Sequence, residues 1–280
     1  MRILKNIIKK VIILLGLNVS DVGNFLGTIN KNAYNIAKGG RSRIKYVNIG
    51  GGPFYKRGWG VLDYTGWSYS FAPGTVDWQH NLASTKPLPL KSNSICCFYS
   101  SHCLEHIPEK FHGHIASEIS RCLIPGGGIR ITTPDFDKGY SAIKSANKDF
   151  FYPYLCEPGG DIYQAFIGYF CRDYLKDKRD TVDIKAALES KTKEEFIDWV
   201  SVDVPEDYIE KNQDHVAVIN FDRLKILFEN AGLENVEYKN PEESGFHEMT
   251  GRGFAWVFND RFPEGSLFVE ATKPMSGAVP

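Results

Sequence analysis

Two histidines and a carboxylate occur within one short stretch, His102-Cys103-Leu104-Glu105-His106, directly after an apolar run. A histidine has an unperturbed pKa of about 6.5, so a neutral ring can take the proton of a reacting hydroxyl. His106 is therefore our first candidate for a catalytic base. Asp135, just past the predicted strand that ends at Thr133, and His215 are the other candidates.

The same stretch matches the His-x-x-Glu-His pattern of inverted zinc peptidases, in which one helix presents both imidazoles to zinc. That arrangement needs a helix through the motif, whereas Pro108 favours a helix that begins beyond it. A zinc-dependent hydrolase that uses His102, Glu105 and His106 is therefore a disfavoured alternative. Capping of the following helix by Glu105 or His106 also stays open, and we assign no metal ligand.

A turn of three glycines, Gly50-Gly51-Gly52, follows an apolar run, and the next predicted strand ends in Asp63. Glycine allows a backbone to turn sharply and to approach a ligand closely. A carboxylate at a neighbouring strand end can accept hydrogen bonds from both hydroxyls of a ribose. A dinucleotide fingerprint has its acid about 20 residues beyond the first glycine. Asp63 comes much sooner, which disfavours a nicotinamide cofactor.

Short apolar runs that alternate with helical stretches predict parallel strands joined by crossovers from Ile44 onward. The fold class is therefore α/β, with a doubly wound, mostly parallel seven-stranded sheet. Strands are predicted at 45–49, 60–63, 76–81, 94–100, 128–133, 235–238 and 266–271. A crossover helix is predicted after Pro108, ending at Pro125-Gly126-Gly127-Gly128, and a later helix is capped by Asp222.

Residues 1–40 are predicted to be an N-terminal helical segment, and residues 41–280 one catalytic domain. The link from Gly52 to Trp59 is too short for a full crossover helix. Either a single turn replaces that helix, or residues 20–38 cover that face of the sheet. We interpret residues 140–215 as an acceptor-side insertion or lid at the carboxyl edge of the sheet, where open α/β folds bind ligands. Its many aromatic side chains either pack as core or stack on sugar rings.

Five motifs, taken in chain order, resemble those of the type 11 class I methyltransferases and span residues 44–135. They are Asn48-Ile49-Gly50-Gly51-Gly52, Val61-Leu62-Asp63, Asn81-Leu82 with Pro87-Leu88-Pro89, Cys103-Leu104-Glu105-His106-Ile107 and Arg121-Cys122-Leu123-Ile124-Pro125-Gly126-Gly127-Gly128. Within that family the chain most resembles predicted methyltransferases found among glycan-assembly enzymes, whose C-terminal part ends in a similar strand. The resemblance implies a Rossmann-like methyltransferase fold and S-adenosylmethionine as methyl donor.

The resemblance also implies roles at the matched positions. The turn at Gly50, Gly51 and Gly52 would pass beneath the methionine part of the donor, Asp63 would hold the ribose, Asn81 and Leu82 would flank the adenine, and Ser101 and His102 would border the methionine part. The family usually has Asp where this chain has Asn81. Ubiquinone-pathway O-methyltransferases, similar in this region, bind a divalent cation with Glu-x-x-Glu-His. Here His102 takes the first position, which weakens a magnesium site.

Charge and cysteine content limit the partners. The net charge is -1, from 33 basic and 34 acidic residues, without the basic stripe that a nucleic-acid partner requires. The six cysteines lack disulfide or zinc-ribbon spacing, which predicts reduced thiols in a cytoplasmic protein. Residues 1–17 predict a basic amphipathic helix that docks on the protein or a sister subunit, or contacts the inner face of a membrane peripherally.

The sequence therefore predicts a cytoplasmic methyltransferase that uses S-adenosylmethionine and methylates an oxygen of a small-molecule or sugar-containing acceptor in glycan biosynthesis. The acceptor class rests on the resemblance alone. The alternative from another class is a cofactor-binding, non-catalytic partner of a membrane-associated assembly, which turnover would distinguish. His80, His112, His114 and His247 receive no role, and we expect His112 and His114 on a solvated helix face.

Overall fold

The computed structural model describes residues 26, 29–33, 35–36, 39–52, 54, 56–64, 76–155, 159–176, 178–211, 214–249 and 263–275. The predicted amphipathic helix at 1–17 and Cys156 lie outside these ranges. Seven strands are described, and they belong to one mixed sheet. The predicted α/β class with a mostly parallel seven-stranded sheet is confirmed. The chain divides into two compact units, Met1–Asn81 and Leu82–Pro280.

The first unit contains three parallel strands, in the order β3-β2-β1. Their bounds are β1 Tyr46–Ile49, β2 Trp59–Asp63 and β3 Trp78–Gln79. The apolar runs predicted β1 and β2 to within one residue, because their side chains are buried along almost their whole length. β3 is shorter than predicted, although the backbone N–H groups of Asp77 and His80 continue its pairing with β2 at 2.9 Å each.

Helical residues that precede β1 pack against β2 in the same unit. Residues 29–33 and 35–36 are helical. The Lys31 ammonium lies 2.9 Å from Asp77 Oδ2, which also accepts the backbone N–H of Val61 at 2.9 Å. Asn35 accepts the N–H of Gly58 and donates to the carbonyl of Trp59. The described residues between Gly52 and Trp59 form no helix, as both predicted alternatives require; a turn closes between Lys56 and Trp59, and the contacts of Lys31 and Asn35 show that part of the preceding segment also packs here.

The second unit contains four strands, in the order β4-β5-β7-β6. They are β4 Ile95–Ser101, β5 Leu123–Pro134, β6 Glu234–Tyr238 and β7 Ser266–Thr272. β4 and β5 are parallel, whereas β7 runs antiparallel to both β5 and β6. In this unit, Arg130 on β5 lies directly opposite Glu270 on β7, and their two buried side chains form an ion pair at 2.9 Å.

The described helices of the second unit precede, separate or follow these strands along the chain. Their bounds are α1 His112–Cys122, α2 Phe136–Lys144, α3 Lys148–Phe151, α4 Ile162–Phe166, a π-helix at Ile167–Cys171, α5 Thr181–Ser190, α6 Lys193–Val200, α7 Glu206–Lys211 and α8 Phe221–Asn230. None of the helices in the described ranges has the length and apolar character needed to cross a bilayer. Among the described cysteines, Cys122 and Cys171 are free thiols.

Two local predictions in this unit are wrong. The glycines after Pro125 do not end the crossover helix, because α1 already ends at Cys122 and β5 runs through these residues with a register shift against β4. Asn220, not Asp222, caps α8: it has extended backbone angles, and its side chain accepts the N–H of Arg223. The helix starts one position after the cap, so Asp222 falls inside the first turn.

The aromatic side chains of the predicted insertion mostly form a core of their own. This cluster is continuous from α2 to the segment before α8, and its fully buried rings are Phe136, Phe151, Phe166, Phe170 and Phe196. Large aromatic rings contribute much of the hydrophobic stabilisation of a core. Core packing, one of the two predicted uses of these residues, is therefore the use made of most of them.

Candidate active site

The turn Gly50-Gly51-Gly52 of the first unit has a backbone conformation and close contacts that residues with a Cβ atom would not easily accommodate. Gly50 and Gly52 have φ angles of 63° and 48°, the left-handed region that glycine adopts without strain. The N–H of Gly50 donates to the carbonyl of Leu62 at 2.9 Å. A Cβ on Gly51 would lie 2.8 Å from Nδ2 of Asn48. The turn therefore presents bare backbone at the carboxyl end of β1.

Asp63 is tied to this turn from the end of the neighbouring strand. Its Oδ2 accepts the N–H of Gly52 at 2.8 Å, and its Oδ1 accepts the N–H of Tyr64 at 2.7 Å. Burial raises the pKa of Asp63, against the lowering effect of these two bonds. A carboxylate has about four lone-pair positions, so two backbone bonds leave acceptor capacity for a ligand's hydroxyls.

Two other polar groups accompany the turn in this unit. Oδ1 of Asn48 is buried and has no hydrogen-bond partner among the described residues. Asn81, predicted beside the adenine, is half-buried at the end of the unit. A bare glycine turn with a carboxylate and an unpaired amide oxygen is a combination that fits the ribose and the polar atoms of a nucleoside-type ligand.

In the second unit, the end of β4 leads into the histidine motif. Ser101 is the last residue of β4, and His102 follows with a φ of 46° while its N–H donates to the carbonyl of Thr132 at 2.9 Å. The Nδ1 atom of His102 lies 2.9 Å from Glu105 Oε1. Residues Leu104–His106 form one 3-10 turn. His102 and His106 therefore do not share a helix, and the inverted-peptidase alternative is wrong.

Glu105 is the centre of this region. Its side chain is almost completely buried, and its Oε2 accepts the hydroxyl of Thr133 at 3.2 Å. Its backbone carbonyl accepts the N–H groups of Val216 and Ala217, at 2.8 and 3.1 Å. Burial opposes ionisation of Glu105, but the hydrogen bond from His102 and the nearby histidines lower its pKa to about 2. The buried carboxyl is therefore an anion.

The backbone bonds to Glu105 bring His215 against His106. The two ring centroids are 4.8 Å apart, with the planes at 77°. Nδ1 of His106 lies 3.1 Å from the carbonyl oxygen of Asp214, and Nδ1 of His215 lies 2.6 Å from that of Tyr169. A carbonyl oxygen only accepts, so Nδ1 carries hydrogen in both rings and Nε2 holds the lone pair when the ring is neutral. Burial lowers the pKa of His215 to about 4, so this ring is neutral near pH 7.

Both rings line a cavity of about 460 Å³ in this unit. Apart from His106, the residues that line it all come from the predicted acceptor-side insertion. They include Tyr154, Tyr169, Gln164, Asp161, Asp173, Asp214 and Lys176. The rings of Tyr154 and Tyr169 lie 4.3 Å apart, so an aromatic surface and several hydrogen-bonding groups face one space. Such a combination suits a polar molecule with apolar C–H faces.

The π-helix shapes one wall of this cavity. It contributes Gly168 and Tyr169. A methyl group on Gly168 would collide with Lys176 and Asp173, which themselves form an ion pair at 2.5 Å. Burial raises the pKa of Asp173, and the neighbouring Asp214 acts in the same direction.

The other residues predicted from the sequence lie elsewhere. Asp135 caps α2, accepting the N–H groups of Asp137 and Lys138, and it is not among the residues that line the cavity. Leu82 is buried at the start of the second unit. The prediction of a solvated His112 is wrong: it is buried, and its Nε2 lies 2.8 and 3.2 Å from the carbonyl oxygens of Ile107 and Leu104.

His112 therefore supports the turn that carries Glu105 and His106, a role the sequence analysis missed. The carbonyl groups of Asp214 and Tyr169, which orient His106 and His215, were not predicted from the sequence either. The sequence did contain one indication that the segment with Asp214 and His215 packs against the core. Four apolar residues, 216–219, follow His215 directly, and all four are buried. Such a run predicts an extended segment held against the core.

No family model and no curated protein matches the chain. Among solved structures, it is similar to the phosphoethanolamine N-methyltransferase 2 of Haemonchus contortus in complex with S-adenosyl-L-methionine, at 14% identity and a TM-score of 0.39, covering 88% of this chain and 52% of that one. The chain thus spans about half the length of that enzyme. It is also similar to S-adenosylmethionine-dependent methyltransferases of Methanosarcina mazei (14% identity, TM-score 0.40, 86% and 97% covered) and Mesorhizobium loti (14% identity, TM-score 0.38, 83% and 92% covered).

Proposed function

We propose that the chain is an S-adenosylmethionine-dependent methyltransferase that methylates a hydroxyl of a sugar or sugar-containing glycan precursor. The observation that carries the proposal is the pairing of His106 with His215 at the cavity, with both Nδ1 atoms held by carbonyl groups. This arrangement leaves two Nε2 lone pairs for the groups of an acceptor.

The donor half of the proposal rests on the glycine turn and Asp63. Bare backbone at Gly50 and Gly52 allows the methionine part to lie close, and Asp63 keeps lone pairs for the two ribose hydroxyls. S-adenosylmethionine supplies a methyl group on a sulfonium, which is an excellent leaving group. The protein therefore needs to align the acceptor more than to activate the donor.

The acceptor half rests on the lining of the cavity. Tyr154 and Tyr169 offer ring faces for the C–H groups of a sugar, and Gln164 and Asp161 offer groups for its hydroxyls. The hydroxyl to be methylated meets the imidazole pair. Its oxygen forms the new bond to the methyl carbon, the carbon–sulfur bond breaks with its electrons on sulfur, and the hydroxyl proton passes to the Nε2 lone pair of His106. S-adenosylhomocysteine and a methyl ether result.

The test is turnover with a panel of nucleotide sugars, read by mass spectrometry, together with binding of S-adenosylhomocysteine by calorimetry. His106→Ala should lower turnover about 100-fold or more, because it removes a group that contacts the reacting hydroxyl. Its affinity for S-adenosylhomocysteine should stay within about twofold of wild type.

Equal losses of turnover and of cofactor affinity in His106→Ala would mean that the residue is structural. Binding of S-adenosylhomocysteine without methylation of any acceptor would instead favour the non-catalytic alternative. Failure of the wild-type protein to bind either the donor or its demethylated product would refute the proposed function altogether.

A further inference from the structure

We infer that Glu105, His106 and His215 bind one divalent transition-metal ion of the zinc class, with an open coordination position toward the cavity. This inference rests on the proposed function and changes how the acceptor hydroxyl is activated: the two Nε2 atoms would hold the ion, and the ion, in place of a free imidazole, would lower the pKa of the hydroxyl. A carboxylate oxygen and one ring nitrogen from each histidine lie within 4.8 Å of one another. Donors on one zinc ion are about 3 to 3.5 Å apart, so modest side-chain rotations complete the set.

The donor types match the ion. Two imidazoles and one carboxylate form the three-ligand set of catalytic zinc sites, in which water or substrate occupies the fourth position. Imidazole favours zinc and similar first-row ions, whereas magnesium and calcium take oxygen ligands. Because both His106 and His215 line the cavity, a fourth ligand would be held on the acceptor's side.

The groups around the ligands give an independent indication. Metal-binding histidines typically donate their second ring N–H to a carbonyl or carboxylate, which fixes the tautomer and the ring orientation. Here the Nδ1 atoms of His106 and His215 both meet backbone carbonyl oxygens, at 3.1 and 2.6 Å. Glu105 is held in turn by the hydroxyl of Thr133 and the ring of His102. In both imidazoles Nδ1 is thus engaged by a carbonyl, which leaves Nε2 as the nitrogen available for coordination.

The burial of Glu105 is compatible with a bound cation. Glu105 is 1% exposed. Among the described residues its ion-pair partner is His102, and no lysine or arginine pairs with it. A buried carboxylate is costly unless a positive charge compensates it. Bound there, a divalent ion would balance this charge and lower the pKa of an acceptor hydroxyl that coordinates to it.

His102 is a supporting residue in this scheme, not a ligand. Its Nδ1 already contacts Glu105, and its Nε2 lies 3.5 Å from the hydroxyl of Ser266. The ligand set therefore differs from the sequence pattern of His102, Glu105 and His106, since His215 replaces His102. That difference makes the inference testable by exchanging one histidine at a time.

The experiment measures metal binding directly. Full-length protein is stripped with a chelator and then titrated with Zn²⁺ by calorimetry, and its Co²⁺ form is recorded by visible absorption. We expect one Zn²⁺ per chain. His106→Ala and His215→Ala should each weaken binding more than about 100-fold, and both should change the Co²⁺ spectrum. His114→Ala, a substitution on α1 at a half-buried histidine that does not line the cavity, is the matched control and should bind as wild type does.

Each result decides between the two proposals. Zinc affinity that is the same in wild type, His106→Ala and His215→Ala would overturn the site, as would a stripped protein that binds less than one ion. Methylation at full rate by metal-free protein would also overturn it while leaving the proposed function intact. Absence of S-adenosylhomocysteine binding would remove the proposed function, yet the zinc titration would still decide on the metal site.

Discussion

Asp63 is the residue on which the donor half of the proposed function depends most. Its carboxylate joins the end of β2 to the glycine turn through Gly52 and keeps lone pairs for a ligand. Asp63→Ala should weaken binding of S-adenosylmethionine by about 1.5 to 3 kcal/mol, typical of hydrogen bonds to a charged group, or roughly 10- to 150-fold in Kd. Calorimetry measures this change.

Asp63→Asn is the comparison for this prediction. The amide keeps an oxygen for the N–H of Gly52 but removes the charge and two lone pairs, so an intermediate Kd is expected. The thermal unfolding midpoint of each variant shows whether the turn itself is intact. Equal donor affinity in wild type and both variants would contradict a ribose-binding role.

The buried side chain of His112 can be compared with the half-buried side chain of His114 on the same helix. Burial lowers the pKa of His112, and the neutral ring donates its Nε2–H to the carbonyls of Ile107 and Leu104. His112→Ala should lower the free energy of unfolding by about 2 kcal/mol through lost packing and unpaired carbonyl groups. His114→Ala should lower it by no more than about 1 kcal/mol, because only one solvent-exposed hydrogen bond, from its ring to the carbonyl of Lys86, is lost. Urea denaturation measures both, and similar values would contradict the assigned support.

At the scale of elements, α1 is joined to the loop before β4 through Glu118. Its carboxylate accepts the N–H of Leu88 at 2.7 Å and two bonds from Arg121. The bonds from Arg121 lower the pKa of Glu118 below its unfolded value of about 4.5. A lowered folded pKa stabilises the protein above the unfolded pKa, and this contribution is lost as the pH falls.

Glu118→Gln should therefore be less stable than wild type by about 1 kcal/mol at pH 7, since the pair is partly exposed and screened. The difference should begin to shrink as the pH falls below about 4.5, where Glu118 of the unfolded chain protonates, and it should vanish at the lower pH where Glu118 of the folded protein protonates too. Denaturant titrations at pH 7 and pH 4 test this, and a difference that does not depend on pH would contradict it.

The elements themselves were largely predictable, and the failures have physical causes. β1, β2 and β4 are buried apolar runs ended by glycine or a polar residue, so local sequence defines them. β5 was predicted too short, because the glycines at 126–128 read as a turn while pairing with β4 and β7 holds them extended. The cap of α8 was misplaced by two positions because Asn220 and Asp222 are both good capping residues.

At the scale of the whole chain, each compact unit contains a buried ion pair between distant residues. Lys31 pairs with Asp77 in the first unit, and Arg130 pairs with Glu270 in the second. Removing one partner of such a pair leaves a buried charge and typically costs about 3 to 5 kcal/mol. Lys31→Met should therefore lower the thermal midpoint clearly.

The double variant Lys31→Met with Asp77→Asn should recover part of that loss, because no buried charge remains and the amide can still accept the N–H of Val61. A double variant that is as unstable as the sum of both single variants would contradict the coupling. Differential scanning calorimetry of the four proteins completes the cycle.

Long-range contacts also explain why the candidate site was predictable only in part. His106 and His215 were each identified by residue type, but their pairing depends on contacts across the fold. Asp214 contacts His106 across 108 residues of sequence. The tautomers depend on the carbonyls of Asp214 and Tyr169, and backbone carbonyls leave no trace in side-chain patterns.

If the cavity binds the acceptor as proposed, the π-helix at Ile167–Cys171 bears on how the acceptor is chosen. In an α-helix the N–H of Asp173 would bond to the carbonyl of Tyr169. Here that N–H donates to the carbonyl of His215, and the Tyr169 carbonyl receives the His215 ring. Deletion of one residue from this π-helix would restore α-helical spacing and rotate Tyr169 by about 100° around the helix axis. We expect enzymes that share this scaffold to diverge in acceptor preference through single-residue insertions and deletions here, while their donor-binding turn stays the same.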